Sequence, residues 1–232
     1  MNKVLRIENK YLLDYLEFRK YSNYFSGVLM EDPHNGVDGY IVRSLYFDTM
    51  DDKDFNEKED GVFLRKKIRL RVYDPNSNYA LLEMKQKEGN NQMKRSLKVK
   101  KSDAIDLING DYSCLLKYSE EFALECYTYM TTNFYKPKVV VQYNRKAFIA
   151  KENNTRITFD NNIVATETNF NIFDKNLVLY PVFPKNNIVL EVKYNGFLLS
   201  YIKDLVSKVS KIQTSASKYA LARMVSKNYL YI

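Results

Sequence analysis

The sequence has little glycine, a single histidine and no tryptophan among its 232 residues. Its 7 glycines form neither a G-x-x-x-x-G-K-[ST] loop nor a G-x-G-x-x-G turn, which argues against a phosphate site built on backbone amides at a helix start. His34 lies among turn-forming residues in "EDPHNGVDG". This argues against a Ser-His-Asp triad, a histidine-rich zinc site and a phosphohistidine intermediate. Any phosphate that binds to this protein must be held by side chains.

Cysteines and long apolar runs are also scarce. The two cysteines, Cys114 and Cys126, stand among apolar residues of a helical segment, which favours buried, reduced thiols over a disulfide or a redox pair. The start, "MNKVLRIENKYLL", lacks the apolar core of a signal peptide, and no segment approaches the ~18 apolar residues of a membrane span. We therefore expect a cytoplasmic protein with no direct membrane span.

Positive charge is what the sequence has in excess. The 36 lysines and arginines outnumber the 28 aspartates and glutamates, and the formal net charge is +8. This predicts an anionic partner, such as nucleic acid, anionic lipid, a nucleotide or polyphosphate. The length suits one large domain or two small ones. Because no repeat, low-complexity tail or linker interrupts the chain, we predict a single domain over residues 1–232.

Hydrophobic periodicity predicts a mixture of strands and helices. Strand patterns cover 4–10, 41–49, 61–73, 79–87, 93–101, 138–150, 155–160 and 187–196, and the segment 163–183 reads as one short strand and a loop. Helical patterns cover 11–25, 102–132 with a break near 109–110, 198–212 and 216–228, and the "SD" at 102–103 is expected to cap the second helix. The predicted fold class is α+β, a closed antiparallel β-barrel (tunnel) of about eight strands with helices packed outside.

The stretch 65–73, "RKKIRLRVY", indicates how such a barrel would be lined. Successive side chains of a strand point to opposite faces, so one face carries the cations Arg65, Lys67, Arg69 and Arg71. The same alternation places Glu8, Lys10, Glu83, Lys85, Lys98, Arg156, Glu191 and Lys193 on polar faces. A solvated face is the ordinary explanation for any one such strand. Recurrence on nearly every strand, with few carboxylates, favours a basic interior that binds phosphate.

Two kinds of residue complicate this interpretation. In "VVVQYNRKAF", strand alternation places Arg145 on the same face as valines, which requires a bulge or a strand end there. Three glutamates, Glu8, Glu83 and Glu191, lie among the cations. Carboxylate oxygens are the ligands that Mg²⁺ and Mn²⁺ prefer, and these ions bridge to phosphate. Each glutamate could instead pair with a neighbouring lysine or arginine.

A series of short motifs resembles a known family. In order along the chain they are "IENKY", "SLYFDT", "IRLRVY", "LEMKQK", "RSLKV", "YNRKAF", "RITFD", "LEVKYNG" and "SKYALAR". They resemble VTC-type polyphosphate polymerase domains, a branch of the CYTH or triphosphate tunnel metalloenzyme superfamily, over residues 5–225. The resemblance implies an eight-stranded antiparallel tunnel that binds a nucleoside triphosphate and a divalent metal, Mn²⁺ or Mg²⁺.

The resemblance also implies roles for individual residues. The expected phosphate ligands are Lys10, Arg69, Arg71, Lys85, Lys98, Arg145, Arg156 and Lys193. Arg69, Arg71, Lys85 and Lys218 are the expected catalytic residues, with Lys218 on the C-terminal helix. Glu191 is the expected metal ligand, joined by Glu8 and Glu83. One departure is "RIENK", where Arg6 stands in place of the first glutamate of an E-x-E-x-K motif, and this weakens the case for a hydrolase.

The expected function is an ATP-dependent phosphotransferase that adds the γ-phosphate of ATP to inorganic polyphosphate or to a pyrophosphate primer. Two alternatives stay open: a tripolyphosphatase or nucleoside triphosphatase, and a non-catalytic polyphosphate-binding regulatory module. Nucleic-acid binding ranks low because most aromatic residues fall on apolar faces. A membrane-protein partner is a further open alternative.

Overall fold

The computed structural model describes residues 6–89, 91–209, 212–214 and 217–228. This part of the chain contains ten strands: β1 Arg6–Leu13, β2 Met30–Glu31, β3 Tyr40–Asp48, β4 Leu64–Val72, β5 Tyr79–Glu88, β6 Asn91–Lys100, β7 Lys136–Ala150, β8 Thr155–Thr166, β9 Tyr180–Pro181 and β10 Ile188–Asn195. It also contains six α-helices: α1 Tyr15–Val28, α2 Lys53–Glu59, α3 Lys101–Ile108, α4 Glu121–Thr132, α5 Ser200–Ser207 and α6 Lys218–Asn228.

The strands form a large antiparallel sheet in the order β1-β10-β8-β7-β3-β4-β5-β6, with β2 on β7 and β9 on β8. The structure confirms the α+β class. Within the described residues, β1 and β6 end this order and are not hydrogen-bonded to each other. Backbone hydrogen bonds therefore do not close the sheet into the expected barrel.

Contacts group the chain into two compact units. Unit one comprises residues 1–41, 143–163 and 181–217. Unit two comprises residues 42–142, 164–180 and 218–232. The strands β3, β7, β8 and β9 each contribute residues to both units. A single domain over 1–232 stays a prediction.

The core of unit one lies between its strands and α1. Phe18 and Phe25 on α1 pack against Phe159 of β8, with ring centroids 5.3 and 5.8 Å apart. A capping box starts this helix: the carboxylate of Asp14 accepts from the backbone N–H of Glu17, and the carboxylate of Glu17 accepts from that of Asp14. Because α1 covers the apolar face, the polar side chains of β1, β8 and β10 are left on the opposite face of the sheet.

The core of unit two lies under α3 and α4. Ile68, Leu70 and Leu82 are fully buried on the apolar face of β4 and β5. Cys114 and Cys126 belong to the same core and are free, as predicted. Burial raises the pKa of each thiol to about 12, so both are protonated at neutral pH.

The predicted elements differ from the observed ones at several places. No pattern predicted α2 or the two-residue β2. The second predicted helix begins at Lys101 with Lys100 as its N-cap and no side-chain cap, so the "SD" lies inside the helix. The break near 109–110 is confirmed, and Gly110 has a φ of 87°. Among the helices in the described segments, none combines the length and apolar character that crossing a membrane requires.

Candidate functional site

On the polar face of unit two, three cations contact one carboxylate. Arg69 Nε and Arg71 Nη2 each lie 2.8 Å from Oε2 of Glu83, and Lys94 forms an ion pair with Oε1. The strand register creates this arrangement, because Glu83 of β5 lies opposite Arg69 of β4 and Ser96 of β6. Glu83 is 2% exposed. We call Arg69, Arg71, Glu83 and Lys94 the Glu83 cluster.

The Glu83 cluster has three positive charges for one negative charge. Two like charges ~4 Å apart at an effective dielectric constant of ~20 repel by ~4 kcal/mol. Arg71 is buried, and its Nη1 donates to the Tyr73 hydroxyl at 2.9 Å. The buried Nε of Arg71 has no hydrogen-bond partner among the described residues. Because an unpaired buried donor costs about 1–3 kcal/mol, a bound anion would offset both penalties.

The other expected site residues of unit two differ in their burial and in their contacts. Lys85 lies on the same face, opposite Lys67 in the register, and is half-buried. Lys98 is exposed, and its Nζ lies 3.9 Å from the ring centroid of Tyr79. Lys218 is the first residue of α6 and is half-buried. The structure therefore brings Arg69 and Arg71 together at Glu83 but directs Lys98 to an aromatic ring instead.

Unit one has a cluster of a different composition on its polar face. Lys10 Nζ lies 3.4 Å from Oε1 of Glu8 and 3.5 Å from Oε1 of Glu191. Lys193 Nζ lies 2.8 Å from Oε2 of Glu191 and 3.9 Å from Oε2 of Glu8. In the register, Lys10 faces Glu191 and Glu8 faces Lys193. We call these four residues the Glu191 cluster.

Burial changes the proton affinity within the Glu191 cluster. Loss of hydration lowers the pKa of Lys193, since burial disfavours the charged ammonium, while Glu191 and Glu8 oppose this effect without cancelling it. The two lysines and two carboxylates balance in charge. Unlike the Glu83 cluster, this arrangement satisfies its own charges.

Arg145 is held beside the Glu191 cluster by an aspartate. Its Nε and Nη2 donate to the two carboxylate oxygens of Asp160 at 2.6 and 2.7 Å, and Nη2 lies 3.6 Å from Oε2 of Glu191. Burial acts to lower the pKa of Arg145, but the Asp160 carboxylate outweighs it and the pKa rises well above its usual value. Val140 and Phe148 of β7 lie in the cores, so Arg145 falls on the opposite face in regular alternation. The expected bulge is not required.

Arg156 has its own partners in unit one. Its Nη2 donates to Oδ2 of Asp32 at 2.6 Å and to the hydroxyl of Tyr40 at 3.0 Å. Burial favours the neutral form of Asp32, but hydrogen bonds from His34 and Arg156 outweigh it and lower the pKa of Asp32. Arg156 is thus positioned by a carboxylate from the loop after β2, and Lys193 lies opposite it in the register.

The expected metal ligands are divided between the two units. Glu8 and Glu191 share Lys10, whereas Glu83 belongs to unit two and contacts three cations. No group of three His, Cys, Asp or Glu side chains suited to a metal occurs within the described residues. Thr158 lies opposite Glu191, and its buried Oγ1 has no hydrogen-bond partner among the described residues. Two carboxylates and this hydroxyl are oxygen donors that fit a divalent ion whose remaining ligands are phosphate and water.

The structure also shows polar residues that the sequence analysis did not select. Asp160 and Asp32 hold Arg145 and Arg156, and Tyr46 accepts a hydrogen bond from Arg69 Nη1 at 3.1 Å. The signal for Asp160 is strand alternation, because it lies four residues after Arg156 in β8 and so on the same face. For Asp32 the sequence carries no comparable signal, because the residue lies in a turn 124 positions before Arg156.

Comparison with known proteins adds an independent observation. The sequence model of the VTC domain family matches residues 5–226. The chain belongs to this family. A search of curated proteins gives no match to this VTC domain.

The similar solved structures have low sequence identity to this chain. A Bacillus halodurans protein called a "putative adenylate cyclase" is 12% identical, with 94% of this chain and 96% of that chain covered and a TM-score of 0.56. Two Pyrococcus horikoshii OT3 proteins are PH1819 (13% identity, 96% and 99% coverage, TM-score 0.48) and PH1012 (12%, 93% and 98%, 0.48). The first of these likenesses supports the fold of the VTC domain and nothing about its activity.

Proposed function

We propose that this VTC domain is a metal-dependent polyphosphate polymerase that transfers the γ-phosphate of ATP to the end of a polyphosphate chain. The observation that carries the proposal is the Glu83 cluster, in which three cations contact one carboxylate and a buried guanidinium N–H has no partner. Arginine suits phosphate because its planar fork bonds two oxygens at once. Membership in the VTC family supports phosphate transfer as the reaction class.

The chemistry requires cations more than it requires a nucleophile. Phosphoryl transfer passes through a loose transition state whose charge spreads over the equatorial oxygens. We assign Arg69 and Arg71 to stabilising that negative charge, with Lys85 and Lys218 as further catalytic cations. The acceptor is a terminal phosphate oxygen, which is already an anion and needs no general base. The lack of a Ser-His-Asp arrangement in the sequence agrees with this mechanism.

The remaining cations are assigned to binding the phosphates of the substrate and product. Arg145 and Arg156 are held in place by Asp160 and Asp32, so little side-chain entropy is lost when they bind a ligand. Lys10, Lys193 and Lys98 complete the proposed set. That the polar face forms the inside of a closed tunnel is part of the proposal and rests on the family likeness.

Glu191 and Glu8 would hold the divalent ion, with the Thr158 hydroxyl as a neighbouring oxygen donor. When bound, Mn²⁺ or Mg²⁺ would neutralise phosphate charge and orient the β- and γ-phosphates. Glu83 is assigned to orienting Arg69 and Arg71 rather than to the metal, because the Glu83 cluster contains one carboxylate whereas the Glu191 cluster contains two. We also propose a cytoplasmic location and no nucleic-acid partner.

The test is to incubate the protein with ATP and Mn²⁺, with and without pyrophosphate, and to separate the products by length on a gel. We expect a polyphosphate ladder from the unaltered chain. Arg71→Ala should reduce its formation by about 100-fold or more, as removal of one preorganised transition-state donor does. Arg19→Ala, an exposed arginine on α1, is the matched control and should leave the ladder intact.

Other outcomes distinguish the alternatives. Phosphate release without a ladder would replace the polymerase by a triphosphatase. Binding of tripolyphosphate with no turnover would leave a regulatory module. A ladder of equal intensity in Arg71→Ala would contradict the role assigned to the Glu83 cluster.

A further inference from the structure

Tyr219 of α6 is buried in unit two against the polar face of β3. Its ring stacks on that of Tyr46, with centroids 5.1 Å apart and an angle of 27° between the planes. Its hydroxyl donates to Oδ2 of Asp48 at 2.5 Å. Burial raises the pKa of Tyr219 and Asp48 adds to that effect, so the hydroxyl is protonated and donates at neutral pH. Tyr219 is thus fixed at both its ring and its hydroxyl.

The acceptor of this hydrogen bond is itself rigid. Asp48 is fully buried and its carboxylate accepts the backbone N–H groups of Thr49, Asp54 and Phe55 at 2.7, 2.8 and 3.0 Å. These bonds attach the last residue of β3 to the start of α2. A carboxylate held by three backbone donors cannot rotate to follow the tyrosine, so it sets the tilt of the Tyr219 ring.

A second anchor holds α6 one turn further along. Arg223 Nη2 donates to Oδ2 of Asp52 at 2.7 Å, and its Nη1 donates to Oε1 of Glu167 at 2.6 Å. Residues four apart lie on the same face of a helix, so Tyr219 and Arg223 belong to one docking surface. The position of Tyr219 therefore depends on the docking of the whole helix.

The ring of Tyr46 connects this anchor to the Glu83 cluster. Arg69 Nη1 donates to the Tyr46 hydroxyl at 3.1 Å, and Arg69 Cζ lies 5.8 Å from the Tyr46 ring centroid. The second ring of the stacked pair also has a cation nearby: Lys67 Nζ lies 5.8 Å from the ring centroid of Tyr219. Two neighbouring cations of the basic face thus contact the stacked tyrosine pair.

We propose that Tyr219 is a positioning residue, which orients Arg69 through Tyr46 and makes phosphate binding depend on the docking of α6. The inference rests on the proposed function only in that Arg69 is taken to bind phosphate. Glu83 fixes Arg69 at Nε and Tyr46 fixes it at Nη1. Without the stacked pair the Tyr46 contact at Nη1 would be lost, and that end of the guanidinium would have to be ordered when the ligand binds.

The experiment measures the dissociation constant of inorganic tripolyphosphate by calorimetry in the absence of ATP, so that no turnover is needed. Tyr219→Leu should raise this constant by about fivefold to tenfold, the effect of ordering one long side chain on binding. Tyr46→Phe keeps the stacking but removes the hydroxyl that Arg69 contacts. It should raise the constant by about twofold to fivefold, as loss of one hydrogen bond does.

The decisive readout is dependence on Arg69. In an Arg69→Ala background, Tyr219→Leu and Tyr46→Phe should have no further effect on tripolyphosphate binding. In a Lys98→Ala background their effects should persist, because Lys98 contacts Tyr79 and not the tyrosine pair. The effects of two substitutions add when the residues are independent and do not add when the residues are in contact, so this pattern would identify Arg69 as the residue that Tyr219 positions.

Tyr135→Phe is the matched control for a purely structural effect. Tyr135 is also fully buried in unit two, and its hydroxyl donates to Oδ1 of Asp54 at 2.9 Å. Loss of this hydroxyl should lower the melting temperature but leave tripolyphosphate binding unchanged. Tyr219→Phe, which keeps the ring but loses the Asp48 hydrogen bond, should also lower the melting temperature and should weaken binding by less than Tyr219→Leu does.

The failures of the two proposals differ. If Tyr219→Leu weakens tripolyphosphate binding equally in the Arg69→Ala and Lys98→Ala backgrounds, the proposed function stands but the role of Tyr219 is overturned. A comparable loss of binding in Tyr135→Phe would also overturn it. Absence of tripolyphosphate binding by the unaltered chain would overturn both proposals.

Discussion

The polar faces of the two units use similar side chains in different proportions. The Glu191 cluster of unit one pairs two lysines with two carboxylates, whereas the Glu83 cluster of unit two surrounds one carboxylate with three cations. The first arrangement balances its charges and leaves carboxylate oxygens close together. The second retains excess positive charge. This difference is the basis for proposing that the metal is held in unit one and that the excess cations of the Glu83 cluster in unit two meet a phosphate.

Each unit also buries an aspartate, and the two differ in their hydrogen-bond partners. Asp160 of unit one accepts two hydrogen bonds from Arg145. Asp54 of unit two accepts a hydrogen bond from the neutral hydroxyl of Tyr135, and its buried Oδ2 has no hydrogen-bond partner among the described residues. Burial, with the nearby Asp48, raises the pKa of Asp54 to about 8. A guanidinium supplies the counter-charge that a buried carboxylate needs, whereas a hydroxyl does not, and burial then favours the protonated carboxyl.

The largest effect on stability is expected from Asp160→Asn. The substitution removes the carboxylate that accepts two hydrogen bonds from the buried Arg145 guanidinium, and breaking a buried pair in this way costs about 3–5 kcal/mol. Urea unfolding measures the change in the free energy of unfolding. Asp38→Asn, at an exposed site in the same unit, is the control and should change it by less than about 0.5 kcal/mol. A loss below about 1 kcal/mol in Asp160→Asn would show that the pair is less buried than the structure indicates.

A smaller, pH-dependent effect is expected from Asp54→Asn. The pKa of Asp54 is about 8 when folded and near 4 when unfolded, so the folded state holds the proton more tightly. Relative to Asp54→Asn, the unaltered protein should therefore lose stability as the pH rises from about 4 to about 8, with no further loss above that. The total difference should be on the order of a few kcal/mol. The control Asp51→Asn, at an exposed site, should show no such trend, and a difference that does not change with pH would contradict the protonated Asp54.

The smallest expected effects separate the two clusters by their ligands. Glu191→Gln should abolish the rise in melting temperature that Mn²⁺ causes, and Glu83→Gln should retain it. Tripolyphosphate without metal should stabilise Glu83→Gln by more than it stabilises the unaltered chain, because three cations have then lost their carboxylate. Shifts of a few degrees are expected at ligand concentrations near 100 times the dissociation constant. Equal Mn²⁺ shifts in both variants would remove the proposed distinction between the clusters.

Much of the fold followed from local patterns. The alternation in β4, β5, β6 and β10 is a property of neighbouring residues, and every cation that it placed on the polar face of β4 lies there. The short α2 was not predicted because its start is capped from outside: Asp48, the last residue of β3, accepts the N–H groups of Asp54 and Phe55. A helix that depends on a carboxylate from the preceding strand has no cap of its own for sequence analysis to recognise.

The sequence by itself determined that one face of the sheet is basic, that any phosphate which binds would have to be held by side chains, and that the motifs belong to the VTC family. Only the tertiary structure decided which carboxylate each cation contacts. Arg156 pairs with Asp32, Arg145 with Asp160, and Tyr219 with Asp48, at separations of 124, 15 and 171 residues. The physical reason is that the two-residue period of a strand is local, whereas register and helix docking depend on the packing of distant segments.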